Sequence, residues 1–438
     1  MNSKYLLAVV FFATILNLGC TDSKSISEGN EFVQVEGNQF TIKGKPYTYV
    51  GTNFWYGAYL GREGSEGNRE RLIKELDILK ENGITNLRVL GASEEAIFEN
   101  SLSPAIIKAD GSYSEELLIG LDYLLAEMRK RDMKAVIFLN NYWEWSGGMS
   151  TYNGWYGDGP VIDPADGDWE AFMKYSARFY KNEEAQKAFK KYIKHLLERT
   201  NTVTNTLYTE DSAIMAWQLA NEPRPGRGAS SIPDIPVYIN WIDNTAGYIK
   251  SLDSNHLVST GSEGKTGSLD SMQVFIDAHR SENIDYLTFH MWAKNWGWID
   301  TQNMEGTFQN ALDNAAEYVE THVEVAKELN KPIVMEEFGF PRDGEKYSQE
   351  SSTTFRDKYY RMVFSKVENY KPFAGTNFWS WGGLGQAQNE DYWWNPGDPF
   401  TGDPPQEPQG LNSVFAQDSS TLSIIKKHAK NLEQARAN

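Results

Sequence analysis

The sequence predicts a closed (β/α)8 barrel, the TIM-barrel architecture, with long aromatic-rich loops on its C-terminal face. Three observations predict it: eight short apolar runs, amphipathic stretches between them, and no doubly wound Gly-rich turn. The runs cover 47–50, 86–90, 135–139, 214–219, 257–260, 286–289, 333–335 and 374–378. Each is nearly continuous in apolar residues, as expected for a parallel strand buried on both faces. Helical patterns fall at 69–82, 114–131, 183–199 and 310–329. In 114–131, Leu117, Leu118, Leu121, Leu124, Leu125 and Met128 recur at helical three-and-four spacing. No internal repeat or Pro/Ser-rich linker divides the chain after residue 30, which predicts one domain over 31–438. Two connections, 140–168 and 386–408, are too long for simple turns and follow predicted strands. They carry Trp143, Trp145, Trp155, Trp393 and Trp394, so they are expected beside a site at the barrel's mouth.

Of the 438 residues, 40% are hydrophobic and 23% charged, ample for a packed core. The formal net charge of −18 argues against nucleic acid and against an anionic polymer as ligand. A neutral ligand fits better. Cys20 is the one cysteine, so no disulfide framework is expected. Residues 1–19 read as an export signal, with a basic start and an apolar run too short for a good membrane span. The ending Leu16-Asn17-Leu18-Gly19-Cys20 resembles a bacterial lipoprotein cleavage box, although Asn17 replaces the usual apolar residue. Lipidated Cys20 would tether the domain through the polar segment 20–30, at a cell surface or facing the periplasm. That lipid is the one membrane contact expected, and a monomer is the default.

Two strands end in acids. Trp217-Gln218-Leu219-Ala220-Asn221-Glu222-Pro223 and Ile333-Val334-Met335-Glu336-Glu337-Phe338-Gly339 are apolar runs closing on a carboxylate and a chain breaker. Two acids facing each other across a cleft are the minimum equipment for cleaving a glycosidic bond. Glu222 is assigned as acid/base and Glu337 as nucleophile. Glu336 competes with Glu337, because adjacent strand residues face opposite ways and only one is expected in the cleft. Arg88 is a charge inside an apolar strand, and a buried arginine needs a carboxylate partner. Asn221 is placed to donate to a sugar hydroxyl. His290, with Trp292, Trp296 and Trp298 behind it, ends the sixth strand. Trp379 and Trp381 share one strand face by the period of two and offer a platform for a pyranose ring. Histidines and acids never cluster at metal-ligand spacing, and no phosphate loop or Gly-x-Ser-x-Gly elbow occurs, so no metal or cofactor is expected.

With these residues the chain resembles glycoside hydrolase family 5, in the clan of retaining (β/α)8 enzymes. The matching pattern is Asn221-Glu222 ending strand four, Glu337 before Phe-Gly ending strand seven, and Arg88 on strand two. His290-Met291-Trp292 stands on strand six, where tyrosine is the commoner aromatic, and Trp379 or Trp381 on strand eight. The resemblance implies that Glu337, not Glu336, is the nucleophile. The block Gly51-Thr52-Asn53-Phe54-Trp55-Tyr56, the run Asn221-Glu222-Pro223-Arg224 and segments 290–298 and 377–383 are similar to β-mannanases of that family. This implies endo-hydrolysis of β-1,4-linked mannan, glucomannan or galactomannan. It also implies substrate contacts for Trp55, Arg224 and Trp298, the last two near the leaving side. An exo-acting β-mannosidase or a cellulase is the nearest alternative, and a glycan-binding lipoprotein without activity is the remote one.

Overall fold

A computed structural model describes residues 31–437; the predicted export signal, Cys20 and the whole tether lie outside the described residues. Eight parallel strands form the central sheet: β1 (Tyr49–Asn53), β2 (Asn86–Leu90), β3 (Lys134–Phe138) and β4 (Ile214–Gln218), then β5 (Leu257–Ser259), β6 (Leu287–Met291), β7 (Ile333–Phe338) and β8 (Phe373–Phe378). Hydrogen bonding runs in the order 5-4-3-2-1-8-7-6, and a bridge between Ser259 and Tyr286 links β5 to the approach of β6. The eight predicted runs are the eight strands, with ends shifted by a few residues. Helices Arg69–Glu81, Glu115–Arg129, Glu183–Leu197 and Met304–Leu329 are among those that cover the outside. Of the leucines predicted to face inward, Leu117, Leu118, Leu121, Leu124 and Leu125 are fully buried.

One element was not foreseen. Gln34–Glu36, Gln39–Ile42 and Lys45–Tyr47 form a small antiparallel sheet ahead of β1. It lies across the N-terminal mouth of the barrel, where Phe40 packs edge-on against Tyr286 and joins Tyr49, Val136, Val334 and Ala374 in an apolar plug. The predicted first strand, 47–50, therefore starts and stops too early, because Tyr47 belongs to this sheet and β1 runs on to Asn53.

The long connections differ from expectation in their order. Residues 140–168 hold a buried helix, Gly148–Trp155, rather than an open loop. Segment 401–413 is tied by Asp403, which accepts from the amides of Gly410, Asn412 and Ser413. Gln409 donates from its amide to the carbonyls of Asp403, Pro404 and Glu407. A loop so satisfied internally can present side chains rigidly.

Candidate active site

At the C-terminal end of the strands lies a cavity of about 420 Å³. Glu222, Glu337, Asn221, Arg224, Trp292 and Trp379 line it, all of them singled out from the sequence. One ligand atom each of Glu222, His290 and Glu337 lies within 4.8 Å of the others. The trio could hold a metal by distance alone. Its bonding argues otherwise, because the imidazole Nδ1 already bridges both carboxylates, at 2.6 Å to Glu222 and 3.2 Å to Glu337.

Beneath the cavity the barrel interior is polar. Arg88 donates to Gln218 at 2.8 Å, to Asn53 at 3.1 Å, to Asn221 at 2.7 Å and to Glu337 at 2.5 Å. All its partners are buried acceptors, so the guanidinium is satisfied without water and Glu337 is held in a fixed place. Asn221 is oriented by Arg88 and by its own donation to Asn141 at 3.1 Å.

Of the two adjacent acids only Glu337 lines the cleft, as expected, but Glu336 does not face the opposite side of the strand: it too turns to the barrel interior. The β6–β7 register slips between Met335 and Glu337, pairing Met335 with Phe289 and Glu337 with His290, so Glu336 is an extra residue in the strand. Such a bulge breaks the alternation and aims two neighbours the same way. Glu336 points below the cavity, accepting from Gln218 at 2.5 Å and Tyr286 at 3.4 Å, and burial raises its pKa. Glu337 points into the cavity.

Glu222 sits just past β4 with φ 49°, a left-handed conformation uncommon outside glycine. Its amide donates to the carbonyl of Gly261 at 2.9 Å, and Gly261 leaves room for Ala220: a Cβ there would lie 1.8 Å from that residue's carbonyl oxygen. Trp143 Nε1 donates to Glu222 at 2.6 Å. Burial favours the neutral carboxyl, yet the His290 hydrogen bond and charge, Arg224 and Trp143 hold Glu222 well below the usual carboxylate range. Burial lowers His290, but the two glutamates outweigh it and push the imidazole up to about 9. In the free site the proton therefore rests on His290.

Arg224 lines the cavity, lies over the Trp143 ring at 4.8 Å and pairs with buried Glu263. Burial raises Glu263 to about 7 in spite of that arginine. Of the strand-eight tryptophans, Trp379 reaches the cavity and Trp381 does not. The strand ends at Phe378, which removes the expected period of two, and Trp381 begins a separate two-stranded sheet with Val414–Phe415. Trp381 is fully buried and away from the lining. Trp55 is also displaced from its predicted role. It is buried behind Trp145, ring centroids 5.5 Å apart, with Nε1 donating to Gly402 at 2.6 Å, so it supports the wall without lining it. Trp298 lines a neighbouring hollow instead of the cavity itself.

Sequence reasoning assigned no role to Gln218, Asn53, Glu263, Gln406 or Glu407. Gln406 and Glu407 line the cavity, and the Gln406 amide, in the orientation that satisfies both groups, donates to Glu144 at 2.6 Å. Burial, and Asp403 next, raise Glu407 to about 8. Its Oε2 has no hydrogen-bond partner among the described residues. These residues sit in Asp-, Pro- and Gln-rich sequence whose one signal was the unusual length of the loop.

A family model described as GH family 5 β-mannosidase-like matches residues 30–437. The chain belongs to that family. It is therefore a glycoside hydrolase. It is 29% identical to the putative mannan endo-1,4-beta-mannosidase 4 of Arabidopsis thaliana, over 92% of this chain and 91% of that one. Among solved structures, a GH family 5 mannosidase from Rhizomucor miehei shares 36% identity with a TM-score of 0.85, covering 93% of this chain and all of that one. A variant of that mannosidase in complex with mannosyl-fructose matches at 36% identity and TM-score 0.85, over 93% of this chain and 98% of that one.

Proposed function

We propose that this hydrolase cleaves β-1,4-mannosidic bonds within mannan, glucomannan or galactomannan, with retention of configuration. The observation that carries this is the placing of Glu222 and Glu337 within 4.8 Å around one imidazole, beside the Trp379 ring. Retaining enzymes bring their two carboxyls to about 5–5.5 Å, whereas inverting enzymes leave room for a water. Glu337 attacks the anomeric carbon, breaking the bond to the leaving oxygen and forming a mannosyl ester. Glu222 protonates that oxygen as it departs. Water, deprotonated by the same Glu222, then cleaves the ester and frees Glu337. For the first step Glu222 needs a proton, and His290 at 2.6 Å is the donor in reach. The curated relatives named endo-1,4-beta-mannosidases support internal cleavage.

One observation favours a second reading, exo action. Loop 401–413 reaches from the strand-eight side to Glu144 through Gln406 and lines the cavity with Pro404, Gln406 and Glu407. This closes part of the cavity's rim, and Glu407 Oε2, without a hydrogen-bond partner among the described residues, is open to a terminal hydroxyl. The likeness to the Rhizomucor mannosidase supports it too. Product analysis on linear mannan, galactomannan, glucomannan and carboxymethylcellulose decides. A ladder of manno-oligosaccharides with cellulose untouched establishes internal cleavage, and mannose alone establishes the exo reading. Cleavage of cellulose alone overturns mannan as substrate.

The proposal extends to location: the domain is exported and held at a bacterial surface through lipid on Cys20, as a monomer. Supporting it is the run closing on Gly19-Cys20. Replacing Cys20→Ala would release the enzyme from membranes; retention after that change overturns the tether.

A further inference from the structure

Glu336 is a buried acid for which the double displacement has no use. The slipped register of β7 sets it beneath the cavity, among the groups that carry Arg88. It does not line the cavity, so it meets no substrate. Its Oε2 accepts from Gln218 Nε2 at 2.5 Å, and its backbone carbonyl accepts from Asn53 Nδ2 at 2.8 Å. The oxygens of those same amides receive Arg88: Gln218 Oε1 takes Nε at 2.8 Å, and Asn53 Oδ1 takes a terminal nitrogen at 3.1 Å. That terminal nitrogen also donates to Glu337, at 2.5 Å. One residue thus stands behind both amides that aim the guanidinium at the nucleophile.

An amide held at one end can swivel; held at both, it cannot. A guanidinium nitrogen only donates, so each amide turns its oxygen to Arg88 and its NH2 the other way. What receives that NH2 decides how firmly the oxygen is held. For Gln218 the receivers are Glu336 Oε2 and, at 3.0 Å, Ser259 Oγ. The hydroxyl rotates, whereas the acid is the nearer and the stronger acceptor. Gln218 and Glu336 are both wholly buried, so an NH2 that loses the acid is left short of partners. For Asn53 the receivers are two backbone carbonyls, of Glu336 and Phe378, and these survive any change of the Glu336 side chain. Arg88 Nε lies 3.9 Å from the Glu336 carboxyl, beyond a hydrogen bond, so the acid reaches the guanidinium chiefly through Gln218.

We propose that Glu336 is a positioning residue for this reaction: through the Gln218 amide it holds Arg88 in the pose that presents the guanidinium to Glu337. The inference rests on the reading of Glu337 as nucleophile. A reacting group misplaced by about 1 Å can cost about 10²-fold in rate, which is the scale of effect such a support commands. Substrate affinity is set elsewhere, in the cavity that Glu336 does not line. The slip in β7 thereby has a use: it turns inward an acid that regular alternation would send to the outer face.

The test measures kcat and KM on mannohexaose and 4-nitrophenyl β-mannoside for variants of both residues. Glu336→Gln keeps an acceptor at the same reach, and its kcat should stay within about three-fold of wild type. Glu336→Asp keeps the charge but withdraws it by one methylene, and kcat should fall about ten-fold. Glu336→Leu removes the acceptor and should cost about 10²-fold in kcat, with KM changed by less than about two-fold in all three. A Gln218→Met/Glu336→Leu pair should be no slower than Gln218→Met alone, because both act through one amide. An Asp variant faster than the Gln variant would show that charge is what counts, and it overturns the proposal. Losses that multiply in the pair, or full activity in Glu336→Leu, overturn it too. Should Glu336→Leu not fold, the order of the Gln and Asp variants decides alone. A wild type inactive on both substrates, or a Glu337→Gln variant with wild-type activity, overturns the underlying reading and this inference with it. An inactive Glu337→Gln beside fully active Glu336 variants overturns this inference only.

Discussion

Glu337 and Glu222 share one imidazole, 3.2 Å from the first and 2.6 Å from the second, yet the partner nearest each differs in kind. Glu337 is held by Arg88, a cation that keeps its charge at any working pH and is fixed by three neutral acceptors. Glu222 is held by Trp143 and by His290, whose charge can be given up. The difference fits the two roles proposed for this pocket. A nucleophile must stay ionised, so its partner is permanent; an acid/base must exchange a proton, so its partner is titratable.

Several changes would break or sharpen this contrast. The largest effect is expected from Glu337→Gln, which keeps the hydrogen bonds and removes the nucleophile; kcat on mannan should fall by about 10⁵-fold or more. Full activity in steady-state assays would refute the assignment. Glu222→Ala should cost about 10³–10⁴-fold on mannan. It should retain far more activity on 2,4-dinitrophenyl β-mannoside, whose leaving group needs no proton; equal losses on both would contradict the acid role. Arg88→Met leaves a buried carboxylate unpaired and should lower unfolding free energy by about 3–5 kcal/mol in denaturant titrations.

His290→Ala probes the titratable side, with kcat reduced about 10²-fold. In the wild type the raised pKa of His290 means the shared proton persists across neutral pH and is lost near pH 9. A kcat/KM profile should therefore hold to about pH 9 and then fall, and the fall should move to lower pH in the variant. The sign for stability is the same. The imidazole's contribution is full below its unfolded pKa of about 6.5 and disappears as pH rises through about 9. Trp143→Phe should have the smallest effect, about ten-fold in kcat, because one hydrogen bond to a charged group is lost.

Much of this was legible in the sequence because periodicity reports burial. Eight apolar runs located eight strands, and chain breakers marked the ends that carry Glu222 and Glu337. What alternation could not carry was any departure from regular strand geometry. The bulge at Glu336 and the end of β8 at Phe378 both break the period of two: the first turns both neighbouring acids to the barrel interior, and the second takes Trp381 off the face expected for it. Trp55 and Trp381 were misplaced for a related reason: an indole on the core side and one in the cavity read alike in sequence. Gln218, Glu263 and Glu407 depend on contacts between strands and loops far apart in the chain, which no local pattern records.

The small sheet that plugs the barrel's lower mouth also sets a direction. It brings residue 31 to the pole opposite the cavity, where Glu31 accepts from Lys134 at the foot of β3. An enzyme held by its N-terminus thus stands with its foot to the support and its opening outward. If the proposed lipid tether holds, a stiff or insoluble polymer can reach the cavity from the medium without passing between protein and membrane.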